Sequence, residues 1–475
     1  MNRSLLILAM KKSITRFGIH KSAVNSCFDN ILTRYPKNPL MKNFYFIAVL
    51  CISCELLGAE GASSSGNFKD PNAVRRVLSG EETVANAAWW GFEKENSTSA
   101  IQGAINSGAK KVIIPYVGKE WVVDSIKLVS NQEIVLDPGV VVIAKKGSFK
   151  GKFDCLFSLR NLTNVTLRGY GATLSMRKTD YKEPEYIKSE HRHVLELMSC
   201  GNINVIGLKM EHSGGDGIFI TRDENFVPCR NILIRDCVCN DNYRQGVSVI
   251  SVDKLRIDNC VFSNTRGTSP MAGIDLEPDD GADMLVDVVI SNCISENNGG
   301  SGFIASISRL TEKSREVSVL FVNCYSRNCL APGLRVRAVN KKGPGGLVQF
   351  ENCVAENMVY SGIYAIWELT SPIKLSFRNC KLYQVATGEG ICPISLEPGE
   401  VNPIEQSGGV EFINCYVYDL KNRPFLKITD NKSNKTAYNI RGDINVYSPY
   451  SAKFDLPTNG RVESLKVNSF NLQGD

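Results

Sequence analysis

Six short segments of the form Gly-apolar-x-apolar recur down the middle of the chain. They are Gly217-Ile218-Phe219-Ile220, Gly246-Val247-Ser248-Val249, Gly273-Ile274-Asp275-Leu276, Gly302-Phe303-Ile304-Ala305, Gly333-Leu334-Arg335-Val336 and Gly362-Ile363-Tyr364-Ala365. Their glycines are separated by 29, 27, 29, 31 and 29 residues. A fixed period of this size marks a solenoid, in which each repeat buries its apolar face only against its neighbours. Alternation with period two makes each segment a strand with one buried face.

A second repeat, apolar-x-apolar-x-Asn-Cys, interleaves with the first. Leu255-Arg256-Ile257-Asp258-Asn259-Cys260 is one copy, and others end at Cys293, Cys324, Cys353, Cys380 and Cys415. A variant ends at Cys237, with Asp236 in the Asn place. Asn tolerates left-handed turn conformations, and its amide can bond the coils above and below. Coils of this length cannot hold a βαβ unit with its own crossover helix, which argues against a doubly wound sheet. The predicted fold is all-β: a single right-handed parallel β-helix solenoid with an N-terminal capping helix. Ser97-Thr98-Ser99 opens that helix, Ala100 to Ser107 forms it and Gly108 ends it.

The chain divides into an extension with an export signal (1–61), a linker (62–84), the β-helix (85–420) and a C-terminal cap (421–475). Met41-Lys42-Asn43 begins a polar start, Phe44 to Cys54 is an apolar run too short to span a bilayer, and Ala59-Glu60-Gly61 offers small residues for cleavage. Leu50-Cys51-Ile52-Ser53-Cys54 is a poor lipoprotein box, so no lipid anchor and no membrane span are expected, and the protein is placed as secreted or periplasmic. Residues 171–192 interrupt the repeat with a polar, basic and aromatic insertion, expected to lean over the sheet. The net charge of +6 suits an acidic partner without demanding nucleic acid, and no nucleic-acid module is visible. The cysteines number 16, but six of them share one place in successive coils, which predicts a buried column of free thiols rather than disulfides. With only four histidines and no paired CxxC motifs, no zinc site is expected.

With the glycine at position 0, positions 2 and 4 face outward. Glu196, Asp275 and Glu277 then share one face, joined by Asp216, His193, Arg192, Arg244 and Gln245 from the residues just before each strand. Arg335, Arg337 and Tyr364 follow on later coils. Asp and Glu are poor strand formers, so their gathering here points to chemistry. Asp275 and Glu277, two residues apart on one strand, have Cβ atoms roughly 6.5–7 Å apart. Inverting glycosidases separate their acid and base carboxyls by about 6.5–9.5 Å. Like charges this close also raise one pKa, as an acid working at neutral pH requires. Asp216 sits among three glycines in Gly214-Gly215-Asp216-Gly217, which lets a substrate approach the backbone, and lies two coils from Asp275, roughly 10 Å by stacking. The catalytic candidates are therefore Asp275, Glu277 and Asp216. The substrate-binding candidates are Glu196, His193, Arg192, Arg244, Gln245, Arg335, Arg337 and Tyr364. No cofactor is required, although Asp279-Asp280 offer oxygen ligands for Ca²⁺.

Over roughly residues 85–420 the chain resembles the right-handed parallel β-helix, or pectin-lyase-like, superfamily. Thr98 to Gly108 followed by Lys111-Val112-Ile113-Ile114-Pro115 looks like its capping helix and first strand. Gly215-Asp216-Gly217-Ile218 is similar to the Gly-Asp-Asp-Cys segment of polygalacturonase-type glycoside hydrolases, and Gln245-Gly246 occupies the place of their His-Gly. Only one of the two aspartates is present, Gln245 replaces the His, and the Arg-x-Lys motif is missing, with Arg335-Val336-Arg337 as a basic pair further along. The resemblance implies the fold and activity on carbohydrate. The leading expectation is an exported glycoside hydrolase acting on an acidic or sulfated polysaccharide. A polysaccharide lyase, with Arg192, His193 or Arg244 in the proton-abstracting roles, and a non-catalytic carbohydrate-binding solenoid are the alternatives.

Overall fold

The computed structural model describes residues 68–472, apart from 341, 369–370, 400–407, 430–435, 438, 458–459 and 463. The expected export signal lies outside the described residues. Each regular coil supplies three strands, for example Gln245–Val249, Val252–Asp258 and Val261–Ser263. The first of these belongs to a 12-stranded sheet, and the other two faces join in a 22-stranded one. The strands of successive coils pair in parallel, and the winding is right-handed, as twisted strands require of a parallel crossover. None of the described helices is long and apolar enough to cross a membrane.

Four columns of equivalent residues, of Gly, Asn, Cys and Phe, hold the coils in register. Ile218 pairs with Val247, Val247 with Ile274, Ile274 with Phe303, Phe303 with Leu334 and Leu334 with Ile363, so the six glycines that precede them stack in one column. These glycines answer a need for room rather than for left-handed backbone. A Cβ on Gly302 would lie 2.0 Å from Ser326 Oγ and 2.7 Å from the carbonyl of Gly333 above it. Gly302→Ala should therefore lower the urea midpoint, with a loss of about 1–3 kcal/mol and an unchanged slope, because the backbone oxygen cannot move aside.

At the turns, Asn259, Asn292, Asn323, Asn352, Asn379 and Asn414 all take φ between 50° and 55°. Their amides form the ladder the repeat predicts: Asn352 donates to Asn323 at 3.3 Å, Asn379 to Asn352 at 3.1 Å and Asn414 to Asn379 at 2.9 Å. Beside them Cys237, Cys260, Cys293, Cys324, Cys353, Cys380 and Cys415 are buried and free. Each thiol points at main-chain carbonyls, as Cys293 does at Ser291 (3.1 Å) and Ile257 (3.8 Å), so the column fills the core as small apolar groups with a weak donor. Deeper in, Phe321, Phe350, Phe377 and Phe412 stack ring on ring.

The open lower end is covered by the helix Thr98–Ile105, which buries Ala100, Ile101, Ala104 and Ile105. Two expectations need correction. Residues 171–175 belong to the strand Thr163–Ser175, so the excursion proper begins at Met176. Stacking also continues past residue 420: Ile440–Ser448 pairs with Gly409–Tyr418, and Ser464–Asn471 pairs with Ile440–Ser448. These last rungs lack the glycine and cysteine marks. An outer ladder of Tyr383, Tyr418, Tyr447 and Phe470 takes over, with ring centroids 4.6, 4.8 and 4.7 Å apart.

Candidate active site

The outward places of the 12-stranded sheet line up as Ser158, Glu196, Phe219, Ser248, Asp275, Ile304, Arg335 and Tyr364. Around Asp275 this column is not solvated. Ser248, Asp275 and Ile304 are all buried, although they point away from the core. Side chains from the neighbouring turns close over them.

Glu277 is the centre of that cover. Its carboxylate accepts both arms of Arg244 (Nη1 to Oε1 2.6 Å, Nη2 to Oε2 2.9 Å), the amide of Gln245 (2.7 Å) and the hydroxyl of Ser248 (2.7 Å). Asp275, two residues earlier, has a different environment: one carboxylate oxygen has no hydrogen-bond partner. Burial, with the Glu277 charge beside it, holds its pKa well above the usual carboxylate range, and Arg244 and Arg335 only partly oppose this. Burial acts to lower the pKa of Arg244, but its hydrogen bonds to Glu277 and the charge of Asp216 outweigh that and hold it raised.

Asp216 is fully buried, and neither of its carboxylate oxygens has a hydrogen-bond partner. Oδ2 lies 3.2 Å from His193 Nδ1 and 3.8 Å from Arg244 Nη1. The same His193 nitrogen accepts the Asp216 main-chain N–H at 3.0 Å, and the ring stacks on Phe219 with centroids 4.4 Å apart. Further buried atoms left without a hydrogen bond are Gln245 Oε1, Arg244 Nε and Arg335 Nε. Unpaired buried polar groups cost free energy and are scarce in native folds, so a gathering of them on one face marks a place built for a ligand. Arg335 spreads over the ring of Tyr364 (5.5 Å), whose pKa is raised by burial and by a hydrogen bond to Glu397. Arg337 stands exposed beside them.

Two of the sequence candidates stand apart. Arg192 is fully buried, with Nε donating to the Phe149 carbonyl (2.8 Å) and Nη2 to those of Lys150 (3.3 Å) and Ile187 (2.5 Å). Its guanidinium backs the rings of Tyr181 and Tyr186, so it braces the insertion and does not reach a substrate. Glu196 is gripped by Arg160 (2.7 and 3.0 Å) and Ser158 (2.9 Å), and Phe219 and Ser248 separate it from Asp275 in the column. The sequence reading missed Glu190 and Ser248. Glu190 ends the insertion and reaches Arg244 Nε at 3.8 Å, and nothing in a non-periodic loop announces that contact. Ser248 was readable as an outward residue, but its bond to Glu277 was not. The main-chain amides of Asp279 and Asp280 donate to Asp283, which is paired with Arg222, and among the described residues no group of three or more His, Cys, Asp or Glu is placed to hold a metal.

A family model described as a right handed beta helix region matches residues 187–382. Among solved structures, a Family 28 exopolygalacturonase of Yersinia enterocolitica shares the fold with a TM-score of 0.55 and 13% identity, over 82% of this chain and 79% of that one. The A-module of the mannuronan C-5 epimerase AlgE6 of Azotobacter vinelandii gives a TM-score of 0.55 and 13% identity, over 82% of this chain and 100% of that one. In sequence the chain is 23% identical to the uncharacterized protein YclG of Bacillus subtilis (strain 168), over 44% of this chain and 37% of that protein. The chain thus spans well under two thirds of the curated relatives it matches: 37% of YclG, and 33% of YorA from the same organism. The fold defines a solenoid with one built face. The chain folds as a right-handed parallel β-helix, and its residues 187–382 are similar to the right handed beta helix region.

Proposed function

We propose that this protein is an exported carbohydrate-active enzyme that hydrolyses an acidic polysaccharide at the Asp275 patch. The observation that carries the reading is a pair of buried carboxyls short of hydrogen bonds, both oxygens of Asp216 and one of Asp275, beside an arginine that is itself held by Glu277. Asp275, whose pKa burial raises, is suited to give a proton to the leaving glycosidic oxygen. Asp216, with both oxygens unpartnered, is suited to take a proton from the attacking water. Glu277 is less suited to that task, because Arg244, Gln245 and Ser248 already occupy its oxygens. Arg244 and Glu277 form the lip of the site, at 17% and 18% side-chain exposure. An acidic sugar competing for Arg244 would open the way to the carboxyls behind. Arg335, Arg337 and Tyr364, on the next coils, supply charge and an aromatic surface for further sugars of the chain. The exopolygalacturonase and the epimerase that share the fold support carbohydrate as the substrate class. The apolar run Phe44 to Cys54 supports export.

A second reading is abstraction of a proton from a uronate, and the 3.2 Å approach of His193 to Asp216 favours it. A panel of anionic and neutral polysaccharides, read for new reducing ends and for ultraviolet absorbance of unsaturated products, tests both. Hydrolysis predicts reducing ends without absorbance. Absorbance would move the second reading ahead, and binding without any product would leave a carbohydrate-binding solenoid.

A further inference from the structure

A cleft of about 320 Å³, open to solvent on one side, lies between the insertion and the turns that lead into the strands Ile218–Thr221 and Gln245–Val249. We propose that this cleft is a separate subsite for an acidic sugar of the same polysaccharide, placed beside the cleavage point. The proposal rests on the reading of the Asp275 patch as a carbohydrate site.

The walls are aromatic and firmly set. Tyr181 and Tyr186 meet edge to face at 5.3 Å, with the buried Arg192 behind both rings. Their phenol oxygens accept main-chain N–H groups, Tyr181 from Arg177 and Tyr186 from Gly147, both at 3.2 Å. Tyr243 and Gly214 line the cleft from the solenoid. A Cβ on Gly214 would lie 2.6 Å from the Tyr181 ring, so glycine is what lets the insertion seat against the solenoid. The volume is at the lower end of small-ligand pockets, a scale that suits one or two sugar rings.

The mouth is basic. Lys182 and Lys188 are exposed there, against the single acidic lining residue Glu183. Lys178, which also lines the cleft, is already committed to Asp241 at 2.7 Å. Aromatic rings that pack against the apolar face of a pyranose, with two uncommitted ammonium groups at the rim, are complementary to a uronate or sulfated sugar. The cleft also adjoins the cleavage site through the chain. Gly214 precedes Asp216 by two residues, Tyr243 directly precedes Arg244, and Glu190 at the end of the insertion reaches Arg244 at 3.8 Å.

Calorimetric titration of the full chain carrying Asp275→Asn with a galacturonate trimer, a mannuronate trimer and a neutral glucose trimer tests the proposal. Lys182→Ala with Lys188→Ala should weaken binding of an acidic trimer by about tenfold per lysine, the scale of one charge-assisted hydrogen bond. The pair should also flatten the salt dependence. Lys182→Arg with Lys188→Arg should restore most of the affinity, and the neutral trimer should not respond to either pair. Unchanged affinity in the alanine pair, or no acidic trimer bound by the parent, overturns the subsite. If the alanine pair binds unchanged while the wild type still cleaves an acidic polymer, the subsite falls and the cleavage reading stands. If the lysines control binding but the wild type cleaves no polymer, the subsite stands and the cleavage reading falls.

Discussion

Asp275→Asn should lower turnover by roughly 10²–10⁴-fold, the scale of losing a general acid, and should at the same time raise the melting temperature at neutral pH. The two effects share a cause. Burial and the Glu277 charge raise the folded-state pKa of Asp275 well above its ordinary value of 3.8. Between that value and the raised one, the native state holds a proton that the unfolded state has released. Stability therefore falls as pH rises through this window. Asn carries no such proton and escapes the loss. The variant's advantage should be absent near pH 4, close to the ordinary aspartate value, and should grow towards neutrality. Melting curves of both proteins at acidic and neutral pH check this. A wild type that is the more stable protein at neutral pH would show that Asp275 is a paired structural carboxylate. Stability given up at a site for the sake of its chemistry is a common pattern in enzymes.

Arg244→Met should be costly in both stability and activity. Arg244 is the counter-charge shared by Glu277 (2.6 Å) and Asp216 (3.8 Å), and removing it leaves two carboxylates facing each other across a largely dry patch. Breaking a buried ion pair from one side costs about 3–5 kcal/mol, and the partial exposure of this one places it near the lower figure. Glu277→Gln in the same protein should recover part of the stability, since one of the two stranded charges, the one held at 2.6 Å, is then gone, while activity stays low. A double-mutant cycle on urea midpoints measures the coupling. Additive single effects would mean that the pair is not a unit.

Much of this architecture was legible in the sequence because a solenoid repeats its physics. The glycine column, the left-handed Asn turns and the Cys column each recur once per coil, and a period is visible without any knowledge of the third dimension. The faces of the strands were legible too, but not their burial. The period places Asp275 on the outward face, yet it is buried there, with Glu277 beside it turned to Arg244 and Ser248. Contacts that cross from a non-periodic segment were invisible. Arg192 and Glu190 are two residues apart, yet one braces the insertion and the other reaches the site. The last rungs were lost for a related reason. From Ile440 onwards, stacked aromatic rings replace the Gly and Cys marks, so the parallel pairing persists without its sequence signature.

The account stands or falls on whether the patch around Asp275 cuts a glycosidic bond with water. The most direct measurement is mass spectrometry of the products formed from an acidic polysaccharide in water enriched in heavy oxygen. Hydrolysis predicts one heavy oxygen at each newly formed reducing end, and loss of that labelled product in Asp275→Asn. Unlabelled, unsaturated products, or labelled products formed equally well by Asp275→Asn, would contradict it.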